Sequence, residues 1–110
     1  FVDALVSLLD QYKNIKVIGT AENGVTALEA LSKHEPHILI LDIDMPVMNG
    51  EKTAIEVKKR FPKVKIIVLS MHYEEGFVNS MLEKGVKRFL PKSCDIDVLV
   101  ETIQEVHRKD

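Results

Sequence analysis

Three polar side chains of different chemistry each follow an apolar segment of this 110-residue chain. Asp42 ends one apolar run, Ser70 ends a second, and Lys92 comes shortly after a third. A carboxylate can attack phosphorus and become an aspartyl phosphate. A hydroxyl and an ammonium can stabilise the charge on the oxygens of the transferred group. These three residue types therefore suit the transfer of a phosphoryl group onto Asp42.

The segments that carry these residues alternate with amphipathic ones. Unbroken apolar runs at 38–41 and 66–69 are typical of parallel strands covered on both faces. Apolar residues between the runs recur at helical spacing. This alternation predicts an α/β fold with a doubly wound parallel sheet. The pattern predicts strands over 14–21, 38–41, 66–69 and 86–90, and helices over 1–13, 25–34, 50–61, 74–84 and from Asp95 onward.

The predicted sheet brings the three polar residues to one edge, because ligands of open parallel sheets bind beyond the carboxyl ends of the strands. Mg²⁺ in such a site prefers carboxylates, carbonyl oxygens and water. Asp42 supplies one carboxylate, and apart from Glu22 no acidic residue before it follows a predicted strand. Since the pattern begins with a helix, we expect a further strand before Phe1. That strand is the natural source of the other acidic ligands.

Composition excludes several other classes of protein. Fifteen basic against seventeen acidic residues give a net charge of −2, so the segment lacks the basic footprint of a nucleic acid-binding domain. No run of 18 apolar residues is present, and we expect no membrane association. The single cysteine, Cys94, excludes an internal disulfide and fits a cytoplasmic location.

The stretch LILDIDMPVMNG, residues 39–50, resembles the phosphoacceptor segment of response regulator receiver domains in two-component systems. Ser70 matches the switch hydroxyl of that family, Phe89 its switch aromatic residue and Lys92 its lysine. The residues around Ser70 and Phe89 look most like the NarL/LuxR branch. The resemblance implies a CheY-like, flavodoxin-like (βα)₅ fold with strand order 2-1-3-4-5, of which the first strand is missing from this sequence.

The resemblance also implies a function. Residues 1–110 would form an N-terminally incomplete receiver domain that accepts a phosphoryl group from a sensor histidine kinase onto Asp42. Mg²⁺ would bind Asp42, the backbone carbonyl of Asp44 and an acidic pair upstream of Phe1. Phosphorylation would promote a homodimer, and DNA would bind only through a helix-turn-helix output domain after Asp110. Such a domain is a switch rather than an enzyme, since it only takes up the phosphoryl group and slowly loses it.

Two alternatives remain open at this point. The Asp42-Ile43-Asp44 sequence also resembles the nucleophile motif of haloacid dehalogenase-like phosphohydrolases, in which the second aspartate is the general acid. The other alternative is a pseudo-receiver that binds partners without being phosphorylated.

Overall fold

The computed structural model describes residues 2–43, 50–71 and 74–108. These residues form one parallel sheet of three strands with helices on both faces. The elements in chain order are α1 (Val2–Leu9), α2 (Gly24–Lys33), β1 (Ile38–Asp42), α3 (Gly50–Arg60), β2 (Lys65–Ser70), α4 (Glu75–Glu83), β3 (Arg88–Pro91) and α5 (Ile96–Arg108).

The sheet has the order β1-β2-β3, with β2 in the centre. All six residues of β2 are buried, and the apolar run 66–69 predicts this for the four in the middle. Successive side chains of a strand point to opposite faces, and this separates two hydrophobic clusters. Ile66 and Val68 pack with α2, α3 and α4, whereas Ile67 and Leu69 pack with α1 and α5. The central strand therefore holds both helical layers.

Local sequence signals account for the ends of several helices. Asn23 caps α2, because its side chain accepts a hydrogen bond from the backbone N–H of Thr26 at 2.9 Å, and the Thr26 hydroxyl accepts one in return. Helix α3 ends just before Pro62, which could not continue the backbone hydrogen bonds. Gly85, with φ at +100°, follows α4 in the left-handed region that glycine adopts most easily.

The predicted strand over 14–21 is wrong for this chain. Residues 14–21 form no β-ladder with any described part of the structure. Ile15 and Val17 still pack, half-buried, against the cluster formed with α1 and α5. The order 2-1-3-4-5 that the resemblance implies would place this segment beside the first strand of the fold and not beside β1. Without a strand beside it among the described residues, the segment keeps its apolar contacts but forms no ladder.

Two smaller differences concern the bounds of elements. Helix α1 ends at Leu9 rather than near residue 13, and β3 begins at Arg88 rather than at residue 86. None of the helices in the described ranges is both long and apolar enough to cross a membrane.

Lys65 connects the start of β2 to the last turn of α5. Its ammonium, on a buried side chain, donates hydrogen bonds to the carbonyl oxygens of Val106 at 2.9 Å and His107 at 3.4 Å. The last carbonyls of a helix have no partner within the helix and carry the negative end of its dipole. A buried cation is therefore well placed there.

We expect Lys65→Ala to lower the free energy of unfolding by about 1–3 kcal/mol, since the buried Val106 carbonyl loses its donor. Urea denaturation followed by circular dichroism measures this change. The exposed Lys63 offers a matched control, and Lys63→Ala should change stability by less than about 0.5 kcal/mol. Equal losses of unfolding free energy in the two variants would show that the contact of Lys65 with α5 contributes nothing to stability.

Candidate functional site

The side chains of Asp42 and Lys92 are in direct contact. The Lys92 ammonium lies 2.8 Å from a carboxylate oxygen of Asp42. Asp42 ends β1 and Lys92 follows β3, so the two residues come from the two outer strands of the described sheet. With strands about 4.8 Å apart, the lysine side chain has to cross the end of β2 to reach the carboxylate. The contact therefore spans the carboxyl edge of the whole described sheet.

Both charged groups remain accessible to solvent. The side chain of Asp42 is 25% exposed and that of Lys92 is 17% exposed. A charge-assisted hydrogen bond of this length holds the two groups in place. A reactant that approaches from solvent can therefore reach the carboxylate and find the ammonium next to it.

Ser70 lies at the end of the central strand, between the strands that present Asp42 and Lys92. Its side chain is completely buried. The backbone N–H of Lys92 donates to the carbonyl oxygen of Ser70 at 2.9 Å, which fixes the start of the loop that carries the lysine. The structure thus brings the carboxylate and the ammonium into contact and places the predicted hydroxyl on the strand between them.

Phe89, the predicted switch aromatic residue, lies in β3 and is 5% exposed. Its ring points into the cluster shared with α2, α3 and α4. There it meets the ring of Phe77 on α4 edge to face, with the centroids 5.7 Å apart. Phe89 therefore occupies an inward position in this structure.

The residue after Asp42 is held by a close approach of α3. The backbone N–H of Ile43 donates to the Leu69 carbonyl at 3.1 Å, and that of Gly50 donates to the Ile43 carbonyl at 3.3 Å. A Cβ on Gly50 would lie 2.5 Å from the Cα of Ile43. Only glycine fits there, which gives a physical reason for this glycine at the end of the motif.

The predicted metal site is only partly covered by the structure. Asp44 belongs to residues 44–49, which lie outside the described residues, and so does its backbone carbonyl. Within the described ranges, no three His, Cys, Asp or Glu side chains cluster in a way that could hold a metal ion. Asp42 supplies one carboxylate, whereas Mg²⁺ takes six oxygen ligands, usually one or two carboxylates together with waters and phosphate oxygens. The described residues therefore do not make a complete Mg²⁺ site.

Two groups with altered pKa values lie outside the Asp42–Lys92 contact. Burial, aided by the charge of Asp95, raises the pKa of the Cys94 thiol, so the thiol stays protonated at neutral pH and is a poor nucleophile. The hydrogen bond from the Tyr12 hydroxyl to Asp97, at 3.0 Å, raises the pKa of that tyrosine.

Sequence reasoning did not identify Phe77 as a neighbour of the site. Its apolar position in a helix predicted burial but not its partner, because that partner lies twelve residues further along, on a strand. The contact between Phe77 and the predicted switch residue Phe89 is visible only in the three-dimensional structure.

Known proteins resemble this chain in sequence. The family model described as "Response regulator receiver domain" matches residues 1–104. The transcriptional regulatory protein DegU of Brevibacillus brevis is 32% identical to the chain over 106 residues. That alignment covers 96% of this chain and 45% of DegU. The chain thus spans about half the length of this curated relative.

Solved structures show the same fold. A LuxR-family DNA-binding response regulator from Staphylococcus aureus superposes with a TM-score of 0.89 at 27% identity, over 96% of this chain and 88% of the other. The response regulator domain of CheB from Thermotoga maritima gives a TM-score of 0.90 at 26% identity, over 99% and 89%. These likenesses confirm the predicted doubly wound, CheY-like α/β fold.

Proposed function

Because this chain belongs to the response regulator receiver domain family, we propose that it is a phosphorylation-dependent switch with Asp42 as its phosphoacceptor. Receiver domains are signalling domains rather than enzymes in the ordinary sense. The observation that carries the assignment of Asp42 is its 2.8 Å contact with Lys92 across the end of the strand that carries Ser70. A nucleophile and a cation thereby meet at one solvent-facing edge, and the buried Ser70 lies on the strand between them.

The proposed reaction transfers a phosphoryl group from a phosphohistidine of a sensor histidine kinase. A carboxylate oxygen of Asp42 attacks phosphorus, the P–N bond breaks, and the imidazole leaves with the bond electrons and takes up a proton. The product is an acyl phosphate on Asp42. Lys92, already beside the carboxylate, donates a hydrogen bond to a phosphoryl oxygen and balances its charge.

The switch step uses the residues behind the acceptor. Ser70 is buried in the unmodified structure, so its hydroxyl has to turn outward to donate to a phosphoryl oxygen. Phe89 then moves into the space that Ser70 vacates. This movement shifts the population between two packings of the face formed by α4, β3 and α5 and changes its preference for partners.

A complete receiver site also includes Mg²⁺, which would help to neutralise the charge of the phosphoryl group. We assign Asp42 as one ligand and expect the carbonyl of Asp44 and acidic residues before Phe1 to supply the others. In this proposal residues 1–110 are an N-terminally incomplete receiver domain, located in the cytoplasm. A homodimer would form on phosphorylation, and DNA would bind only through a C-terminal output domain.

Phosphoryl stoichiometry separates a switch from a phosphohydrolase. We expect acetyl phosphate with Mg²⁺ to leave at most one acid-stable, base-labile phosphoryl group per chain, and p-nitrophenyl phosphate to give no repeated turnover. Because the acidic ligands are expected before Phe1, the assay compares the 110-residue chain with a fusion that adds a receiver first strand and its acidic pair. The fusion should be labelled far more extensively.

Two results would contradict the proposed switch. Repeated release of phosphate that is lost in Asp44→Asn would contradict the switch and support the hydrolase. A fusion that folds and binds Mg²⁺ but takes up no phosphoryl group would identify a pseudo-receiver.

A further inference from the structure

Helix α4 is attached to the sheet unevenly along its length. Within Glu75–Glu83 the buried residue is Met81, near the C-terminal end. The backbone N–H of Val86 donates to the Met81 carbonyl at 3.2 Å and fastens that end further. Toward the N-terminal end, the half-buried Phe77 and Val78 make the apolar contacts. The C-terminal half of α4 is therefore the better anchored half.

The N-cap residue of α4 also provides no side-chain cap. The N-cap residue is Glu74, and its side chain makes no capping hydrogen bond. Such a terminus depends more on tertiary contacts, because several of its backbone N–H groups have no partner within the helix. Here a main tertiary contact is the edge-to-face packing of Phe77 on Phe89.

The ring of Phe77 therefore connects two elements that the proposed switch has to couple. Phe89 belongs to β3, three residues before Lys92, and Phe77 belongs to the first turns of α4. The rings meet at 87° with centroids 5.7 Å apart, the arrangement that aromatic pairs favour. If Phe89 moves toward the space that Ser70 vacates, Phe77 loses this partner while Met81 stays buried.

We propose that Phe77 is a positioning residue through whose ring Phe89 holds the first turn of α4 against the sheet. When this contact is lost, the first turn loosens while Met81 keeps the C-terminal half of the helix packed. The proposal rests on the proposed function only in so far as phosphorylation of Asp42 is what moves Phe89. The contact itself exists in the unmodified chain and can be tested there.

Amide hydrogen exchange, followed by NMR on the 110-residue chain, measures this coupling. The amide of Val78 donates to the Glu74 carbonyl at 2.9 Å and reports on the first turn, while the amide of Lys87 donates to Ile66 at 2.8 Å and reports on the sheet. We expect Phe77→Leu and Phe89→Leu each to raise exchange at Val78 relative to Lys87 by about three- to tenfold, the scale of one aromatic contact.

The double variant distinguishes coupling from general loosening. If the rings act as a pair, Phe77→Leu with Phe89→Leu should raise the exchange ratio no more than either change alone. Effects that multiply, or an unchanged ratio at Val78, would overturn the proposal. Phe89→Met replaces Phe89→Leu should the latter fail to fold.

Two further variants serve as controls. Phe61 is a half-buried ring that packs against the same cluster from the end of α3, and Phe61→Leu should leave the ratio unchanged. Phe77→Tyr keeps the ring on a half-buried, solvent-reaching position and should retain the wild-type ratio. An exchange ratio in Phe77→Tyr as high as that in Phe77→Leu would contradict a role for the ring contact.

A phosphorylated sample of measured stoichiometry separates this inference from the proposed function. Phosphorylation should raise exchange at Val78 in the wild-type sequence and add nothing in Phe77→Leu. An increase of the same size in both would overturn the role of Phe77. If the fusion with a first strand and its acidic pair takes up no phosphoryl group, the proposed function is contradicted, and the unmodified variants alone decide the inference.

Discussion

Replacement of Asp42 by asparagine should abolish phosphoryl labelling, to below about 1% of the wild-type level, since an amide cannot form the acyl phosphate. The substitution keeps the size of the side chain and an oxygen within reach of Lys92, so the fold should survive. Labelling with acetyl phosphate, quantified by mass spectrometry of the intact protein, measures the effect. Both the 110-residue chain and the fusion with a first strand should be tested.

Asp10, an exposed aspartate just after α1, offers a matched control. Asp10→Asn removes the same charge from the chain and should be labelled as the wild type is. Substantial labelling of Asp42→Asn, with circular dichroism unchanged, would mean that another residue is the acceptor.

Replacement of Lys92 by alanine should slow phosphoryl transfer by about 10²–10³-fold, the usual cost of removing one charge-stabilising donor from a reaction centre. Asp42 would remain the acceptor, but no ammonium would lie beside the developing charge. Lys92→Arg should restore little of the rate, because a planar guanidinium does not replace a compact ammonium at this spacing. Rapid-quench measurement of transfer from a phosphorylated kinase gives the rate.

The matched control is Lys87→Ala, since Lys87 is an exposed lysine that directly precedes β3, whereas Lys92 follows it. It removes an equal charge and should change the rate less than threefold, on the scale of a surface substitution of about 0.5 kcal/mol. Transfer at the wild-type rate in Lys92→Ala would remove the lysine from the proposed chemistry.

The sequence predicted the parts of the fold that local pattern determines. Unbroken apolar runs identified β1 and β2, because strands covered on both faces have no polar alternation, although β2 is fully buried and β1 mostly half-buried. The segment 14–21 had the local composition of a strand but forms no ladder here. Strand formation needs a neighbour for the backbone, and local sequence does not show whether that neighbour is present.

The site was predictable to a similar extent. Topological reasoning from strand ends placed Asp42 and Lys92 at one edge, and the structure has them in contact. The contacts of Lys65 with α5 and of Phe77 with Phe89 were not predictable. They join residues far apart in sequence through side-chain packing, and neither has a spacing or motif that distinguishes it from ordinary surface or core positions.

The central claim is that the carboxylate facing Lys92 is the one that receives the phosphoryl group. Borohydride reduction converts an aspartyl phosphate to homoserine, and peptide mass spectrometry then locates the modified position in the labelled fusion protein. We expect homoserine at position 42 and at no other aspartate. Modification at Asp44 or elsewhere, with position 42 intact, would contradict it.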